Sequence, residues 1–344
     1  MNATAETVEH LAPAGDDAVR PFEVSALDLR GRAIQMGPAL DAILERHDYP
    51  PSVSKLLGEA TVLAILLGSS LKFEGKFILQ TKTDGPVDML VVDFRTPDSV
   101  RAYARFDREA VARAEADGQA DSAALLGNGV LAMTIDQGTN MSRYQGVVPL
   151  EGDSLEDVAH TYFRQSEQIP TRVRLAVAEM HVREGGEMLH RWRAGGILVQ
   201  FLPRESARMR QQDLPGGDVP EGLDEIEGDE TAIDETGADD FEDDDFWVEA
   251  QSLVGTVEDH ELTDPGVPVD RLLYRLFHER GVRVFAPVAI HDHCSCSRER
   301  VEAMLGGFSA EEIAESIEDG AILVTCEFCG AGYRFDPQDF PGTD

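Results

Sequence analysis

The hydrophobic residues between positions 53 and 73 recur at intervals of three and four, which is the spacing of one face of an α-helix. The residues that share this face are Leu56, Leu57, Ala60, Leu63, Ala64 and Leu67. Tyr49-Pro50-Pro51 comes just before them and ends any earlier helix, because proline lacks the amide proton that a helix interior needs. The pattern predicts one long apolar helix. Its most hydrophobic stretch, 60–71, is too short to cross a bilayer, so we expect no membrane segment.

A different pattern follows, in which short runs rich in β-branched and aromatic residues alternate with turn sequences. The runs lie at 76–82, 87–94, 100–106 and 130–135. Asp84-Gly85-Pro86 and Thr96-Pro97-Asp98 separate the first three, and both are typical of turns. Connections this short join antiparallel strands, so the runs predict an antiparallel meander.

Further elements lie between Ser154 and Pro203. Ser154 is followed three residues later by Asp157, a variant of the capping-box sequence, and predicts a helix that ends near residue 168. Strand-like runs follow at 172–180, 188–193 and 197–202. Strands and helices are clustered rather than strictly alternating, which favours an α+β fold. We therefore predict a large α+β core domain over residues 21–204, with an antiparallel sheet and helices, after a flexible lead at 1–20.

Charge separates the next segment from the core. Residues 213–249 contain 17 Asp or Glu and no Lys or Arg, with Gly and Pro scattered among them. Such a segment cannot bury enough apolar area to offset its ordering entropy, so we predict a disordered acidic insertion over 205–249. The whole chain has 30 Lys and Arg against 65 Asp and Glu, a formal charge of −35. That balance argues against nucleic-acid or anionic-membrane partners, which need clustered cations.

A helical pattern returns at Trp247. Apolar residues share one face over 247–257, and a second apolar run covers 272–277, with Asp264-Pro265-Gly266 between them. Helices this short and this charged obtain their stability from packing against something else. We predict a helical linker over 250–290. The first twenty residues lack the cationic start and apolar run of a secretory signal, so we expect a cytoplasmic protein.

All the cysteines lie in the last fifth of the chain, as Cys294-Ser295-Cys296 and Cys326-Glu327-Phe328-Cys329. Two chelating turns of this kind supply the four soft ligands that Zn²⁺ prefers. A segment of roughly 50 residues makes a poor core of its own and needs a structural metal in order to fold. We predict a small C-terminal zinc-binding domain over 291–344, which holds one Zn²⁺ through Cys294, Cys296, Cys326 and Cys329.

Four thiolates close the site, since they leave no position for a catalytic water, and a zinc hydrolase is disfavoured. His291 and His293 lie beside the first pair and could replace a ligand, although four cysteines suffice. Ser297 to residue 305 and Ser309 to residue 320 predict helices, the second with a full capping box at Ser309 and Glu312. Runs at 322–325 and 333–335 predict strands on either side of the second cysteine pair.

The cysteine spacings leave two interpretations open. One is a static zinc module. In the other, zinc, disulfides and folding form one coupled switch, because oxidation of the thiolates removes the metal and with it about 10 kcal/mol of folding free energy. A one-residue gap closes only into a strained, labile disulfide, and a two-residue gap resembles redox-active dithiols.

The cysteine segment resembles the C-terminal motif of the redox-regulated chaperone family called heat-shock protein 33, or 33 kDa chaperonin. The residues that carry this resemblance are Cys-Ser-Cys-Ser-Arg-Glu-Arg-Val at 294–301, Cys-Glu-Phe-Cys-Gly at 326–330 and Tyr-Arg-Phe at 333–335. Earlier in the chain, motifs similar to those of the same family's core domain occur in the family's order. They lie at 56–59 (Leu-Leu-Gly-Glu), Gln80 with 85–87, 144–147 (Tyr-Gln-Gly-Val), 165–171 (Gln-Ser-Glu-Gln-Ile-Pro-Thr) and 194–203.

The resemblance implies an ATP-independent holdase rather than an enzyme. It implies a reduced, zinc-bound resting form and an active form in which oxidants join Cys294 to Cys296 and Cys326 to Cys329, expel zinc and unfold the linker. It also implies unfolded or oxidised client proteins, a homodimer when activated, and ATP-dependent chaperones that refold the clients. The acidic insertion and the N-terminal lead depart from the family pattern.

Two rival functions remain to be distinguished. A zinc-ribbon factor associated with nucleic acid would depend on Arg298, Arg300 and Arg334 within a strongly acidic chain. A thioredoxin-like oxidoreductase would use Cys326 and Cys329, but the βαβ setting of that motif is missing from the predicted elements.

Overall fold

The computed structural model describes residues 15–71, 74–138, 143–152, 154–164, 169–185, 187–202 and 244–340. The helices within these ranges are α1 (Pro38–Leu44), α2 (Pro51–Ser70), α3 (Arg108–Ala116), α4 (Ser122–Leu126), α5 (Leu155–Tyr162), α6 (Asp245–Gly255), α7 (Asp259–Thr263), α8 (Val269–Phe277), α9 (Arg298–Leu305) and α10 (Ala310–Glu315). The strands are β1 (Ala18–Val24), β2 (Leu29–Met36), β3 (Lys76–Thr83), β4 (Val87–Arg95), β5 (Ser99–Phe106), β6 (Gly129–Asp136), β7 (Tyr144–Pro149), β8 (Thr171–Glu184), β9 (Glu187–Phe201), β10 (Arg283–Val284), β11 (Val288–Ala289), β12 (His291–Asp292), β13 (Ile317–Glu318), β14 (Ala321–Thr325) and β15 (Gly332–Phe335).

Two six-stranded sheets and one three-stranded sheet organise these elements, and the α+β prediction is confirmed. The first sheet has the order β10-β1-β2-β9-β8, with β11 also paired to β1, and all its pairs are antiparallel. The second has the order β12-β5-β4-β3-β6-β7 and contains the predicted meander β3-β4-β5. Its edge pair β12 and β5 is parallel.

Helix α2 lies between the two large sheets and contacts strands of both. By length and composition it could cross a membrane, but 78% of that segment is buried inside the protein. Gly68 permits the close contact with the second sheet, because a Cβ at this position would lie 3.0 Å from Cβ of Phe77 and closer still to the ring of Phe94. The long apolar helix predicted from the sequence is thus the centre of the core.

The first sheet is covered on both faces, which explains why β9 is apolar at consecutive positions. Ile34 and Leu198 face the core around α2. Their neighbours Ala33, Ile197 and Val199 face the opposite way, into a second apolar cluster. Helices α6, α7 and α8 supply the other half of that cluster, through Trp247, Ala250, Val254, Leu262, Leu272, Leu273, Leu276 and Phe277.

Polar contacts fix these linker helices on the sheet. The fully buried side chain of Arg20 in β1 forms an ion pair with Asp270 of α8 at 2.8 Å. Arg193 in β9 donates to the carbonyl oxygen of Thr263 at 2.7 Å. Gly195 lies directly against the carbonyl of Leu262, so a side chain there would displace α7. The prediction that packing on the core stabilises the linker helices agrees with this arrangement.

Two boundaries predicted from the sequence are wrong. Residues 18–20 of the predicted flexible lead form the start of β1, where Val19 and Arg20 are buried; residues 1–14 lie outside the described ranges. The predicted disordered insertion includes the first turns of α6, because Trp247 is buried against Phe201. The rest of that insertion, residues 205–243, lies outside the described ranges.

Three further elements differ in extent from the prediction. The runs at 188–193 and 197–202 are parts of one strand, β9, since the intervening glycines pair in register with β2 and β8. The predicted helical linker ends in β10 and β11, which add to the edge of the first sheet beside β1. Helix α5 begins after the predicted cap at Ser154, whose hydroxyl accepts a hydrogen bond from the amide of Asp157, and it ends at Tyr162.

Glu59 on α2 gives the core a pH-dependent stability. Its carboxylate accepts a hydrogen bond from the hydroxyl of Ser122 at 3.1 Å, and burial raises its pKa to about 7. The folded state therefore holds this proton more tightly than the unfolded state, so the stability contribution is greatest at low pH and is lost as the pH rises toward and through 7. Glu59→Gln should stabilise the protein at pH 8 by about 2 kcal/mol more than at pH 5, as measured by urea unfolding of the core.

The matched control for this prediction is Glu109→Gln, which removes an exposed carboxylate from helix α3. Its effect should be small and equal at the two pH values. An equal effect of Glu59→Gln at both values would contradict the assigned burial effect.

Candidate metal centre

The cysteines lie in two short segments of the small domain, one irregular and one a tight turn. Cys294 and Cys296 lie in the short segment between β12 and α9. Cys326 and Cys329 lie in the turn between β14 and β15, which closes because the amide of Gly330 donates to the carbonyl of Cys326 at 2.8 Å. Gly330 has φ of +70°, a left-handed conformation that glycine adopts without strain. The local sequence thus builds a chelating turn at each end of the small domain.

The four sulfur atoms lie within 4.8 Å of one another, and the cysteines are free thiols. The Sγ atoms of Cys294 and Cys326 are 3.7 Å apart, and those of Cys296 and Cys329 are 3.3 Å apart. A tetrahedral zinc ion with Zn–S bonds of about 2.3 Å places its ligand sulfurs about 3.8 Å from one another. The cluster therefore fits a tetrahedral metal ion with small side-chain adjustments.

The pKa values of these thiols bear on how the cluster would bind a cation. The hydroxyl of Tyr333 donates to Sγ of Cys296 at 3.1 Å and lowers the pKa of that thiol to about 7. Burial raises the pKa of Cys329 to about 12 and also raises the pKa of Cys326. A bound divalent cation overcomes this burial penalty and deprotonates coordinating thiols. The protein alone would keep part of the cluster protonated, so metal binding must release protons.

The apolar core around the cluster is small. Its buried members are Leu305, Ile313, Ile322, Phe335 and Phe340. Helix α9 and strands β14 and β15 are present as predicted, and the capping box at Ser309 and Glu312 is formed. The helix predicted from Ser309 to residue 320 is too long, because α10 ends at Glu315 and Ile317–Glu318 form β13, which pairs with β14. The few buried side chains agree with the prediction that the domain needs a metal ion to fold.

Neither histidine predicted as an alternative ligand joins the cluster. Within the described residues the group at this site consists of the four cysteines, while the side chains of His291 and His293 are exposed. The assignment of the cysteines as metal ligands and of Zn²⁺ as the metal stays a prediction. The predicted pairing into Cys294–Cys296 and Cys326–Cys329 disulfides also stays a prediction, since all four sulfurs are near one another.

Two of the three arginines that a nucleic-acid-binding zinc ribbon would need make internal contacts. Arg298 donates to the carbonyl of Arg334 at 2.9 Å and lies over the ring of Phe335 at 4.4 Å. Arg300 donates to the carbonyl of Ser295 at 2.7 Å. These contacts assign Arg298 and Arg300 to the support of the cysteine turns.

Phe328, which lies between the cysteines of the second pair, attaches the domain to the core. The guanidinium of Arg101 lies 4.0 Å from the centre of its ring, and the ring of Tyr103 lies 6.3 Å away. His47 contacts the carbonyl of Phe328 at 3.3 Å. Arg101 also forms an ion pair with Asp93 at 2.6 Å. The second of the two residues between Cys326 and Cys329 thus supplies the side chain that packs against the core.

Two positive side chains of the core approach the cysteines. Nη1 of Arg101 lies 3.6 Å from Sγ of Cys294, and Arg46 forms a two-pronged ion pair with Asp292, two residues before that cysteine. Four thiolates around a divalent cation carry a net charge of −2, so these arginines complement the cluster electrostatically. Strand β12, which contains Asp292, extends the second sheet beside β5.

Sequence reasoning did not find the core residues of this contact. Arg46 and Arg101 lie far from the cysteines in sequence and belong to no motif. The one available signal is Phe328 itself. The small domain offers little apolar core to an aromatic side chain between two cysteines, so Phe328 is expected to pack against another part of the protein. Its docking partners follow only from the three-dimensional arrangement.

The sequence of this chain is similar to that of known proteins over most of its length. The family model described as Hsp33 protein matches residues 17–336. A protein of Caulobacter vibrioides named 33 kDa chaperonin is 44% identical over 324 residues, which cover 94% of this chain and 95% of that protein. The 33 kDa chaperonin of Serratia proteamaculans is 34% identical and aligns over 90% of this chain and 89% of its own length.

A solved structure shares the fold. The crystal structure of a 33 kDa chaperonin from Thermotoga maritima superposes with a TM-score of 0.67 at 18% identity, covering 94% of this chain and 96% of that one. The sequence resemblance is confirmed by the family match and by the relatives, and the fold by the solved structure. The chain therefore belongs to the Hsp33 protein family.

Proposed function

We propose that this protein is an ATP-independent chaperone that binds unfolding or oxidatively damaged proteins and is switched on by oxidation of its four cysteines. The observation that carries the proposal is the contact between the cysteine cluster and the core, next to a linker that covers an apolar sheet face. Membership of a family whose curated relatives are named chaperonins supports the same conclusion. We propose no enzymatic activity.

In the resting form, Cys294, Cys296, Cys326 and Cys329 would hold one Zn²⁺. The metal would supply a cross-link between the two cysteine pairs, and in small domains structural zinc contributes about 10 kcal/mol or more of folding free energy. The side chains of Tyr333, Arg298 and Arg300 support the turns through the contacts described above. A reducing compartment such as the cytoplasm keeps the thiols in this form.

In the activated form, the cysteines would form the disulfides Cys294–Cys296 and Cys326–Cys329. Formation of each disulfide would remove two electrons from a pair of thiolates, and one molecule of hydrogen peroxide would accept them together with two protons and be reduced to two molecules of water. The disulfide sulfurs no longer coordinate the metal, so its contribution to folding is lost. This pairing follows from the resemblance to the family.

Loss of the small domain's fold would propagate to the linker through contiguous contacts. Phe328 and Asp292 would leave Arg101 and Arg46, and β12 would leave the edge of β5. The linker immediately before β12 includes β10, β11 and α8, which are held on β1 and on the first sheet. Their release would expose the apolar sheet face of Phe22, Ala33, Ile197, Val199 and Phe201.

This exposed face is the surface that we propose for clients. Contiguous apolar surface of this kind marks protein-binding sites, and it is covered in the resting form. We propose that the active form is a homodimer and that clients pass to ATP-dependent chaperones for refolding. We propose no nucleic-acid or membrane partner, in agreement with the negative charge.

An aggregation assay tests the proposed function. A heat-denatured client protein is followed by light scattering without ATP, in the presence of reduced or peroxide-treated protein. The proposal predicts that only the oxidised form suppresses scattering at near-equimolar ratio and that a reductant reverses its activation. Equal suppression by both forms would leave a chaperone without the redox switch, and no suppression by either would refute the function.

Phe328→Ala should loosen the small domain without disturbing its ligands. The substitution removes the ring from Arg101 and Tyr103, contacts worth about 1 to 2 kcal/mol together. Zinc content should be unchanged, while hydrogen exchange at 291–293 should accelerate about tenfold, since 1.4 kcal/mol corresponds to a factor of ten. Phe308→Ala, which removes an exposed phenylalanine from the same domain, serves as the control. Equal exchange in both variants would contradict the docking role of Phe328.

A further inference from the structure

A second group of metal-ligating side chains lies on the β8–β9 hairpin, outside the cysteine cluster. His181 and His190 are directly opposite each other across the two strands. Their rings are 4.5 Å apart and nearly perpendicular. Nδ1 of His190 lies 2.7 Å from Oε1 of Glu179, which is two residues before His181 and therefore on the same face. One ligand atom from each residue lies within 4.8 Å of the others.

The hairpin fixes the relative position of these three residues. Strands β8 and β9 pair in unbroken register from Thr171 opposite Gln200 to Glu184 opposite Glu187. Two residues, Gly185-Gly186, connect the strands, and Gly185 has φ of +61°, as tight hairpin turns require. A slip of one residue would move the ligands to opposite faces, and the buried part of both strands prevents this slip.

We propose that Glu179, His181 and His190 form a binding site for a divalent transition-metal ion such as Zn²⁺ or Ni²⁺. Two imidazoles and one carboxylate are ligands that these ions accept, at about 2.0 to 2.2 Å for zinc. Tetrahedral zinc ligands at that distance lie about 3.3 Å apart. Small rotations of three solvent-accessible side chains reach this geometry from the observed one.

The charges around the site are compatible with a cation. Glu179 contributes one negative charge, and the ion replaces the contact between Glu179 and His190. Arg191, the neighbour of His190, forms an ion pair with Asp41, with Nη1 at 2.8 Å from the carboxylate. Arg183, two residues beyond His181, is a positively charged residue on the same face as the three proposed ligands. The chain as a whole carries a formal charge of −35, which raises the local concentration of cations.

Three protein ligands leave a fourth position for water or for a ligand from another molecule. The site differs chemically from the cysteine cluster, because imidazole and carboxylate do not form disulfides. A metal ion bound here should therefore remain bound under peroxide concentrations that oxidise the four cysteines. The hairpin site stands whether or not the cysteines act as a switch.

Calorimetric titration of the full-length reduced protein tests the site. The protein is first loaded with one equivalent of Zn²⁺ and is then titrated with further Zn²⁺. A second equivalent should bind to the wild type, and His181→Gln or His190→Gln should each weaken it by at least about tenfold, since even loss of a supporting residue costs that much at a metal site. Binding of the first equivalent should be unchanged.

His260→Gln is the matched control. His260 is also exposed and also lies beside a carboxylate, with Nδ1 at 3.2 Å from Glu258, but among the described residues it belongs to no group of three metal-ligating side chains. The control should bind the second equivalent like the wild type. Absence of a second equivalent would overturn the proposal. Equal binding by the wild type and the His181 variant would also overturn it, and would assign the extra zinc to the many acidic side chains.

The fluorescence of Trp192 provides an independent readout. Trp192 is directly opposite Glu179 in the hairpin, and Trp247 is the other tryptophan of the chain. In a Trp247→Phe background, Ni²⁺ should quench Trp192 with saturation at one equivalent. The quenching should disappear when His190→Gln is added and persist when His260→Gln is added. Quenching that is linear in Ni²⁺ and equal in all variants would contradict a defined site.

Discussion

Cys329→Ser should remove the metal from the reduced protein and unfold the C-terminal domain while the core stays folded. Serine offers a hydroxyl in place of a thiolate, which Zn²⁺ binds poorly. The domain has only a small apolar core, so it cannot replace the about 10 kcal/mol that structural zinc contributes in small domains. Metal analysis after dialysis should give well under one zinc per chain, and hydrogen exchange over 291–340 should approach that of an unfolded peptide.

Ser295→Ala is the control for this prediction, because it changes a neighbouring side chain between two cysteines and leaves all four sulfurs in place. It should retain stoichiometric zinc and a protected domain. A Cys329→Ser protein that holds zinc as tightly as the control would show that the four sulfurs do not form the metal site.

Phe277→Ala should activate the protein without oxidation. Phe277 is fully buried at the end of α8, where its ring lies 5.7 Å from that of Phe22 on the apolar sheet face. Truncation of a buried phenylalanine costs about 3 to 5 kcal/mol. That loss falls on the linker, whose short helices have little stability of their own. The reduced, zinc-bound variant should therefore suppress aggregation of a heat-denatured client, as measured by light scattering.

Tyr274→Ala is the control, because it changes the helix propensity of α8 without removing a contact between the helix and the sheet. The side chain of Tyr274 is 57% exposed and stacks on His278 rather than on the sheet. This variant should stay inactive until it is oxidised. If Phe277→Ala loses protection in the linker yet remains inactive when reduced, the covered sheet face is not the client surface.

The sequence predicted most elements of the core because local patterns determine them. Helix α2 and strands β3, β4 and β5 begin and end within a few residues of the predicted positions. These elements have clear periodicity and strong turn signals at both ends. The helix of residues 298–305 and the capping box at Ser309 were predicted for the same reason.

Elements that depend on distant partners were predicted less well. The first three residues of strand β1, 18–20, fall in the predicted flexible lead, since Arg20 and its neighbours have no distinctive pattern. The pairing with β2 and β11 and the buried ion pair to Asp270 explain why they are ordered. Helix α6 begins within an acidic run because the side chain of Trp247 packs against the ring of Phe201. Burial against remote residues overrides local composition in both cases.

The candidate metal site shows the same division. The ligand cysteines were predicted by number, because their spacing alone constrains the coordination chemistry. The residues that connect the site to the core, Arg46 and Arg101, could not be predicted, because their role depends on tertiary contacts with Asp292 and Phe328. The sequence thus identified the four cysteines that lie together and could hold a metal ion, but not the contacts that connect them to the rest of the molecule.

Coupling between the sulfurs and the linker is tested most directly by hydrogen exchange measured together with zinc release. The full-length protein, holding one zinc ion per chain, is treated with peroxide while a chromogenic chelator records the freed metal. We predict that zinc release, loss of the four thiols and loss of amide protection over 245–277 and 291–340 occur together, with β3, β4 and β6 still protected. Complete thiol oxidation that leaves either the zinc bound or the 245–277 amides protected would contradict the account.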